Sequence, residues 1–432
     1  MHNRADAAAI IGSSRRRRLG WVMNLATTTA ESARHEKPFT LTVIAAVIAG
    51  ACTFLNVYCT QPLLPLLMQI FRASEMQVSL TVGMVTLSVA LAAPFVGMMA
   101  ESVGRKRVIV PALFAMGVVT LLTATAKTLH ALIIWRFLQG LFVPGVIAVI
   151  MAYINEEFSS RAGAVMSAYV AGTVFGGFLG RFLTGVMAVH GSWQMAFVVL
   201  GLLDLLGALA VRAWLPLATH FVPAEHVFKS FRDILGHLQN VRLLAVCGMG
   251  FTILFSLVGT FTYVNFHLAA APYNLGPAAL GAVFFVYLLG CVVTPLAGRW
   301  LDRHGFRRMV LLSVSMSLAG LGLTLISSLV AVIAGLALFS SGIFISQSAA
   351  SVLTGRVAQG ARSAAAGLYV TFYYTGGSLA AVVTAWFWVS GGWPACAGLF
   401  AAVSLVTLGL SVFAAKSVPS ARPADPLVDT AI

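Results

Sequence analysis

Uninterrupted apolar runs, each about long enough to cross a lipid bilayer as a helix, recur along almost the whole chain. A hydrocarbon core about 30 Å thick needs roughly 20 residues of α-helix. Twelve such runs are read, over residues 39–66, 77–99, 107–127, 130–154, 161–189, 193–215, 242–269, 276–300, 307–328, 330–355, 362–390 and 392–415. They are continuous rather than alternating, which excludes a closed β-barrel, the other backbone arrangement that satisfies itself in lipid. Only 9% of the residues are charged, against roughly 25% in an average soluble domain. The expected fold is therefore an all-α polytopic membrane protein with twelve transmembrane helices.

The formal net charge of +14 invites a nucleic-acid partner, but the basic residues are dispersed over many short loops and form no single patch. They report topology instead. With the N-terminus taken as cytoplasmic, only Arg72 and Lys127 fall in outer loops, and Arg136 and Arg181 fall inside runs; the rest of the 27 lie in inner loops or tails. That bias predicts a multi-pass membrane protein with both termini cytoplasmic. Residues 1–38 and 416–432 read as cytoplasmic tails, and Arg15, Arg16, Arg17 and Arg18 are placed to touch anionic lipid headgroups. The five cysteines lie in apolar runs without metal-ligand spacing and read as small packing residues. Neither a metal nor a cofactor is expected.

The chain also repeats itself. Pro94, Gly97, Glu101, Gly104, Lys106 and Arg107 align with Pro295, Gly298, Asp302, Gly305, Arg307 and Arg308 at a shift of 201. Ala164, Tyr169, Val170, Gly176, Gly177 and Leu179 align with Ala364, Tyr369, Val370, Gly376, Gly377 and Leu379 at a shift of 200. Two matches at nearly one offset predict two pseudo-symmetric six-helix bundles, 39–216 and 242–415, in the same orientation. Between them, 217–241 is expected to be a cytoplasmic linker. Phe228, Phe231, Leu235 and Leu238 lie opposite Lys229 and Arg232 at helical spacing, which predicts a helix lying along the membrane surface.

These residues resemble the major facilitator superfamily. The paired loops Gly97-x-x-x-Glu101-x-x-Gly104-Arg105-Lys106-Arg107 and Gly298-x-x-x-Asp302-x-x-Gly305-x-Arg307-Arg308 look like its signature between spans two and three, with Glu101 in place of the customary Asp. The resemblance implies a cytoplasmic latch that pairs with the other half; the alternative is that the basic cluster only anchors topology. Arg136, Gln139 and Gly140 share one helix face and are similar to the Arg-x-x-Gln-Gly element of proton-driven members. Either Arg136 serves coupling or substrate, or it ties helices together. Gly172, Gly176, Gly177 and Gly180 form a small-residue stripe for close packing, similar to the glycine-rich element of proton-linked antiporters, although Gly177 stands where those carry proline. Asn56 to Pro65 looks like the first span of bacterial drug and sugar efflux permeases.

By resemblance, spans one, four, seven and ten line a central cavity, with two, five, eight and eleven beside it. The candidates are Asn56, Tyr58, Gln61, Arg136, Gln139, Tyr263, Asn265, Gln347, Tyr373 and Tyr374, each of which is equally suited to interhelical hydrogen bonding. The four main lining spans hold no carboxylate, which argues against a cationic substrate. A small neutral or amphipathic solute such as a drug, sugar or metabolite fits better, and Arg136 leaves a weak acid open. With no phosphate-binding Gly-x-x-x-x-Gly-Lys-Ser/Thr loop, the implied activity is secondary transport by alternating access, led by efflux through proton antiport. Proton-linked uptake and a non-transporting receptor are the alternatives, and an enzyme is not expected because no nucleophile, base and orienting acid group together. Asp204, the only acid deep in a span, is the coupling candidate beside Arg136; its other role is structural pairing. The protein is expected to work as a monomer.

Overall fold

Proline and glycine decide where the apolar runs of this chain stop being helix, and those interruptions set the architecture. The structure is a computed structural model that describes residues 39–158, 161–218, 236–357 and 362–415, all helices and short turns with no strand among them. The tails and most of the linker, including nearly all of the surface helix expected over 227–239, lie outside the described residues. Eleven described stretches are long and apolar enough to cross a membrane. The last, Ala364–Ala415, has 52 residues, over twice what one crossing needs. Gly391 (φ −161°, ψ 19°) and Gly392 (φ 60°, ψ −147°) break it, so it makes two crossings and the chain makes twelve.

The first span departs most from the expected single run over 39–66. Its helix Phe39–Val57 ends buried within the bundle, and the chain resumes as a 3₁₀ turn, Gln61–Leu63, and a second helix, Leu64–Phe71. Pro62 and Pro65 cause this, since neither has an N–H with which to continue the ladder. Tyr58 O accepts instead from Gln61 N at 3.1 Å. The seventh span, Val241–Ala269, has no proline at the matching positions and runs unbroken for 29 residues.

Local signals mark the other ends. Ser74 and Gln77 form a reciprocal capping box at the start of the second helix, Glu75–Val103. Thr128, Ser192 and Asn240 cap the fourth (Leu129–Glu157), sixth (Trp193–Trp214) and seventh spans. The third (Arg105–Thr123) begins after Gly104, at φ 101°, and the ninth (Phe306–Leu323) after Gly305, at φ 79°. Both tight turns need the positive φ that glycine adopts without a Cβ penalty. They mark what is here termed the basic face of the molecule; the opposite end is the far face.

Inside lipid, helices gain little from the hydrophobic effect and associate through close packing at small residues. The repeat is written into that packing. A methyl group on Gly176, in the fifth span (Ala162–His190), would lie 2.1 Å from the Ala51 carbonyl oxygen, and one on Gly376 would lie 2.1 Å from the Phe251 oxygen. Gly50 likewise abuts the Tyr169 ring and Gly250 the Tyr369 ring. Each pair recurs at a shift of 200 residues, so the same helix crossing is built twice.

The halves meet along the second span against the eleventh (362–390) and the fifth against the eighth (Pro277–Leu301). A Cβ on Gly83 would touch that of Ala381, and one on Gly185 would strike the Pro277 oxygen. Gln61 Nε2 donates to Thr262 Oγ1 at 3.1 Å, from the first span to the seventh. These contacts lie toward the far face, where the two halves are sealed together.

Candidate functional site

The break in the first span creates the first cluster. A helix end leaves its last carbonyls without partners, and here that end lies deep inside the bundle. Arg136, fully buried in the fourth span, fills the need. Its Nη1 donates to Asn56 O at 2.9 Å, its Nη2 to Val57 O at 2.7 Å and its Nε to Thr81 O at 3.1 Å. Arg136 is thus a charged cap for a discontinuous helix, which accounts for a cation at a depth where insertion costs roughly 2.5–3.5 kcal/mol.

From Arg136 a chain of buried polar groups crosses the N-terminal half. Arg136 Nη1 donates to Gln139 Oε1, and Gln139 Nε2 donates to Thr120 Oγ1 at 2.6 Å. Thr120 has one hydroxyl proton and three acceptors in reach, namely Asn56 Oδ1 at 3.2 Å, Asp204 Oδ2 at 3.4 Å and its own helix's Met116 O at 2.7 Å. Asn56 Nδ2 donates to Asp204 Oδ2 at 2.6 Å. Asp204 is fully buried, and its Oδ1 has no partner among the described residues. Gly117 packs closely against this part of the sixth span, since a Cβ there would stand 2.9 Å from Leu205 Cδ2 and 3.1 Å from Asp204 Cβ.

The second cluster surrounds Arg181, 1% exposed in the fifth span. Its Nε donates to Gln61 Oε1 at 2.7 Å and its Nη1 to Gly177 O. Three aromatic faces enclose the guanidinium, with ring centres 4.8 Å (Tyr58), 4.7 Å (Phe284) and 4.7 Å (Tyr287) from its central carbon. Among the described residues no carboxylate pairs with it. On the eleventh span the Tyr373 ring packs against those of Tyr374 and Tyr369, with centres 5.3 and 6.0 Å apart.

The ten cavity candidates therefore divide. Asn56, Arg136 and Gln139 belong to the Asp204 chain, Tyr58 and Gln61 contact Arg181, and Tyr373 and Tyr374 pack against each other on the eleventh span. Tyr263 donates to Ala381 O at 2.8 Å, Asn265 to Phe261 O in its own helix, and Gln347 accepts from Tyr369 at 3.2 Å. Thr120, Phe284, Tyr287 and the cage around Arg181 escaped the sequence reading. An unpaired arginine inside a span was the one available signal, since its neighbours come from three separate spans.

In the loop motifs, Arg105 forms a two-pronged pair with Glu156 of its own half, at 2.6 and 3.1 Å, and Lys106 donates to Leu215 O. The side chains of Glu101 and Asp302 lie outside the described residues. Gly298 and Gly305 have open space where a Cβ would stand.

The model of the Major Facilitator Superfamily matches this chain over residues 46–288 and 248–429. The chain is 34% identical over 373 residues to the inner membrane transport protein YnfM of Escherichia coli (strain K12), covering 85% of this chain and 88% of that one. It is 31% identical over 372 residues to the uncharacterized MFS-type transporter YybF of Bacillus subtilis (strain 168), covering 86% and 92%. Among solved structures, the inward open conformation of the xylose transporter XylE from E. coli superposes with a TM-score of 0.69, covering 88% of this chain and 97% of that one at 14% identity.

Proposed function

This chain belongs to the major facilitator superfamily of membrane transporters, and from that premise we propose that it exports a small, non-cationic amphipathic solute in exchange for protons. The observation that carries this reading is the buried Asp204 carboxyl, one oxygen unpartnered, joined through Asn56, Thr120 and Gln139 to Arg136. A desolvated carboxyl bound only by neutral groups is suited to gain and lose a proton during a cycle. Each change redirects the single Thr120 hydroxyl proton toward or away from Asp204. Since Arg136 bonds the last carbonyls of Phe39–Val57 and Asn56 lies in that last turn, proton occupancy is coupled to the point where the first span is already interrupted.

The far face is the outer one in this assignment, with the basic face and both termini in the cytoplasm, as the distribution of Lys and Arg implies. The membrane is the bacterial inner membrane, a placement supported by the relative YnfM, named an inner membrane transport protein. With the outer seal formed, the described conformation suits loading from the cytoplasm. The paired Gly-acid-Gly loops act as the latch on that side once it closes. A cationic substrate is disfavoured because the two charges beside the junction of the halves, Arg136 and Arg181, are both positive.

The test is accumulation of a panel of fluorescent dyes and antibiotics in cells with and without the protein, repeated after an uncoupler collapses the proton gradient. Export that disappears with the gradient, and in an Asp204→Asn variant that still reaches the membrane, is the expected result. Export indifferent to the gradient, or undiminished in Asp204→Asn, removes proton coupling through this carboxyl. Accumulation raised by the protein instead of lowered identifies uptake by symport.

A further inference from the structure

Burying a charge in a low-dielectric interior is tolerated when a counter-charge or a full set of hydrogen bonds compensates it. Arg136 has such a set, from the Asn56, Val57 and Thr81 carbonyls and the Gln139 side chain. Arg181 does not. Its Nη2 donates to no described group, and no acid neutralises it. Aromatic faces attract a cation, but they leave the charge and the outer edge of the guanidinium fork unanswered. A second observation points the same way: the hydroxyls of Tyr58 and Tyr287, whose rings flank the guanidinium, make no hydrogen bond to any described residue.

We infer that Arg181, held between Tyr58, Phe284 and Tyr287, is the recognition site for the anionic group of the transported solute, a small organic acid with an apolar or aromatic body. A carboxylate or sulfonate matches the planar fork of arginine and receives its parallel N–H donors. Tyrosine hydroxyls beside it supply further donors. The body has its own wall, since Phe178, Phe182 and Phe285 stack along the same seam with ring centres 4.4 to 5.8 Å apart. Gln61 orients the guanidinium and also bonds Thr262 across the seal, so the anion site and the far-face closure share a residue.

The cage draws on both halves: Tyr58 and Arg181 from one, Phe284 and Tyr287 from the other. Parting the halves on the far face dismantles it and leaves the anion with fewer partners, which favours release on that side. The inference rests on the transporter cycle proposed above, but concerns what is bound rather than what drives it.

Binding separates the two. The purified full chain in lipid nanodiscs is titrated with benzenesulfonate, its neutral near-isostere benzenesulfonamide and the cation benzyltrimethylammonium, followed by tryptophan fluorescence and by the thermal unfolding midpoint. The expected result is that the sulfonate binds at least about tenfold more tightly than the sulfonamide, the size of one charge-assisted hydrogen bond, and that the cation does not bind. Arg181→Gln is expected to erase the preference while leaving sulfonamide affinity intact, and Arg181→Lys to keep part of it. Should Arg181→Gln fail to fold, the double variant Tyr58→Phe, Tyr287→Phe is expected to weaken the sulfonate alone, by a few-fold. Equal affinity for sulfonate and sulfonamide, binding of neither, or a preference that survives Arg181→Gln overturns the inference. Proteoliposomes made in parallel keep the proposals apart: selective sulfonate binding without gradient-driven sulfonate flux sinks the proton-antiport reading and leaves the anion site standing.

Discussion

The two halves of this transporter are built on one pattern of helix contacts, yet they bury different chemistry. At the 200-residue shift that superimposes Gly176 on Gly376, Asn56 corresponds to Ser256, Arg136 to Leu336, Gln139 to Phe339, Arg181 to Ala381 and Asp204 to Ser404. Every buried charge of the N-terminal half thus has a small or apolar counterpart in the C-terminal half. The backbone explains part of this. The first span is broken by Pro62 and Pro65 and releases carbonyls that need a donor, so the fourth carries Arg136. The seventh is continuous and releases none, and the tenth (Leu329–Val357) carries Leu336, fully buried. The packing is shared between the copies, and the buried charges among the described residues lie in one of them.

The largest effect expected from breaking that comparison comes from placing the C-terminal residue in the N-terminal half. Arg136→Leu removes the side-chain donors to the Asn56, Val57 and Thr81 carbonyls and to Gln139, and should cost about 3 kcal/mol or more, read as a fall in the unfolding midpoint in detergent. Replacing Pro62 and Pro65 with alanine, which lets the first span close its own ladder, should recover about 1–3 kcal/mol of that loss as a coupling energy. Absence of any coupling would show that Arg136 does not serve the break.

A smaller and symmetrical effect belongs to the packing. Gly176→Ala and Gly376→Ala each drive a Cβ into a carbonyl oxygen 2.1 Å away, so each should cost about 1–3 kcal/mol. Equal losses sharpen the equivalence, whereas a loss confined to one half breaks it.

The smallest effect falls on the counterpart of the proposed proton carrier. Ser404 Oγ donates to Phe400 O of its own helix at 2.8 Å, so Ser404→Ala should change stability by no more than about 0.5 kcal/mol and leave gradient-driven export as it was. Ser404→Ala abolishing that export would mean that coupling is shared between the halves.

Much of the architecture was legible in the chain. Twelve runs, the 200-residue repeat and the two glycine turns at Gly104 and Gly305 could be read because each has a local cause: lipid length, duplication and the steric freedom of glycine. The break at Val57 was less visible, although Pro62 and Pro65 sat in plain view. Proline inside a membrane helix is often accommodated by a kink, and only the surrounding helices decide whether the ladder reseals. The polar residues were legible as a set but not in their groupings. Nothing about their spacing placed Asn56 beside Asp204, 148 positions on, or Tyr287 against Arg181.

The sequence alone determined that this protein lives in a membrane and is made of two copies of one helical plan, because hydropathy, chain length and repetition act locally and add along the chain. Tertiary structure alone decided which buried polar groups meet. It set Arg136 to capping a broken helix and left Arg181 among aromatic rings without a counter-charge, because those outcomes depend on which faces of distant helices are pressed together.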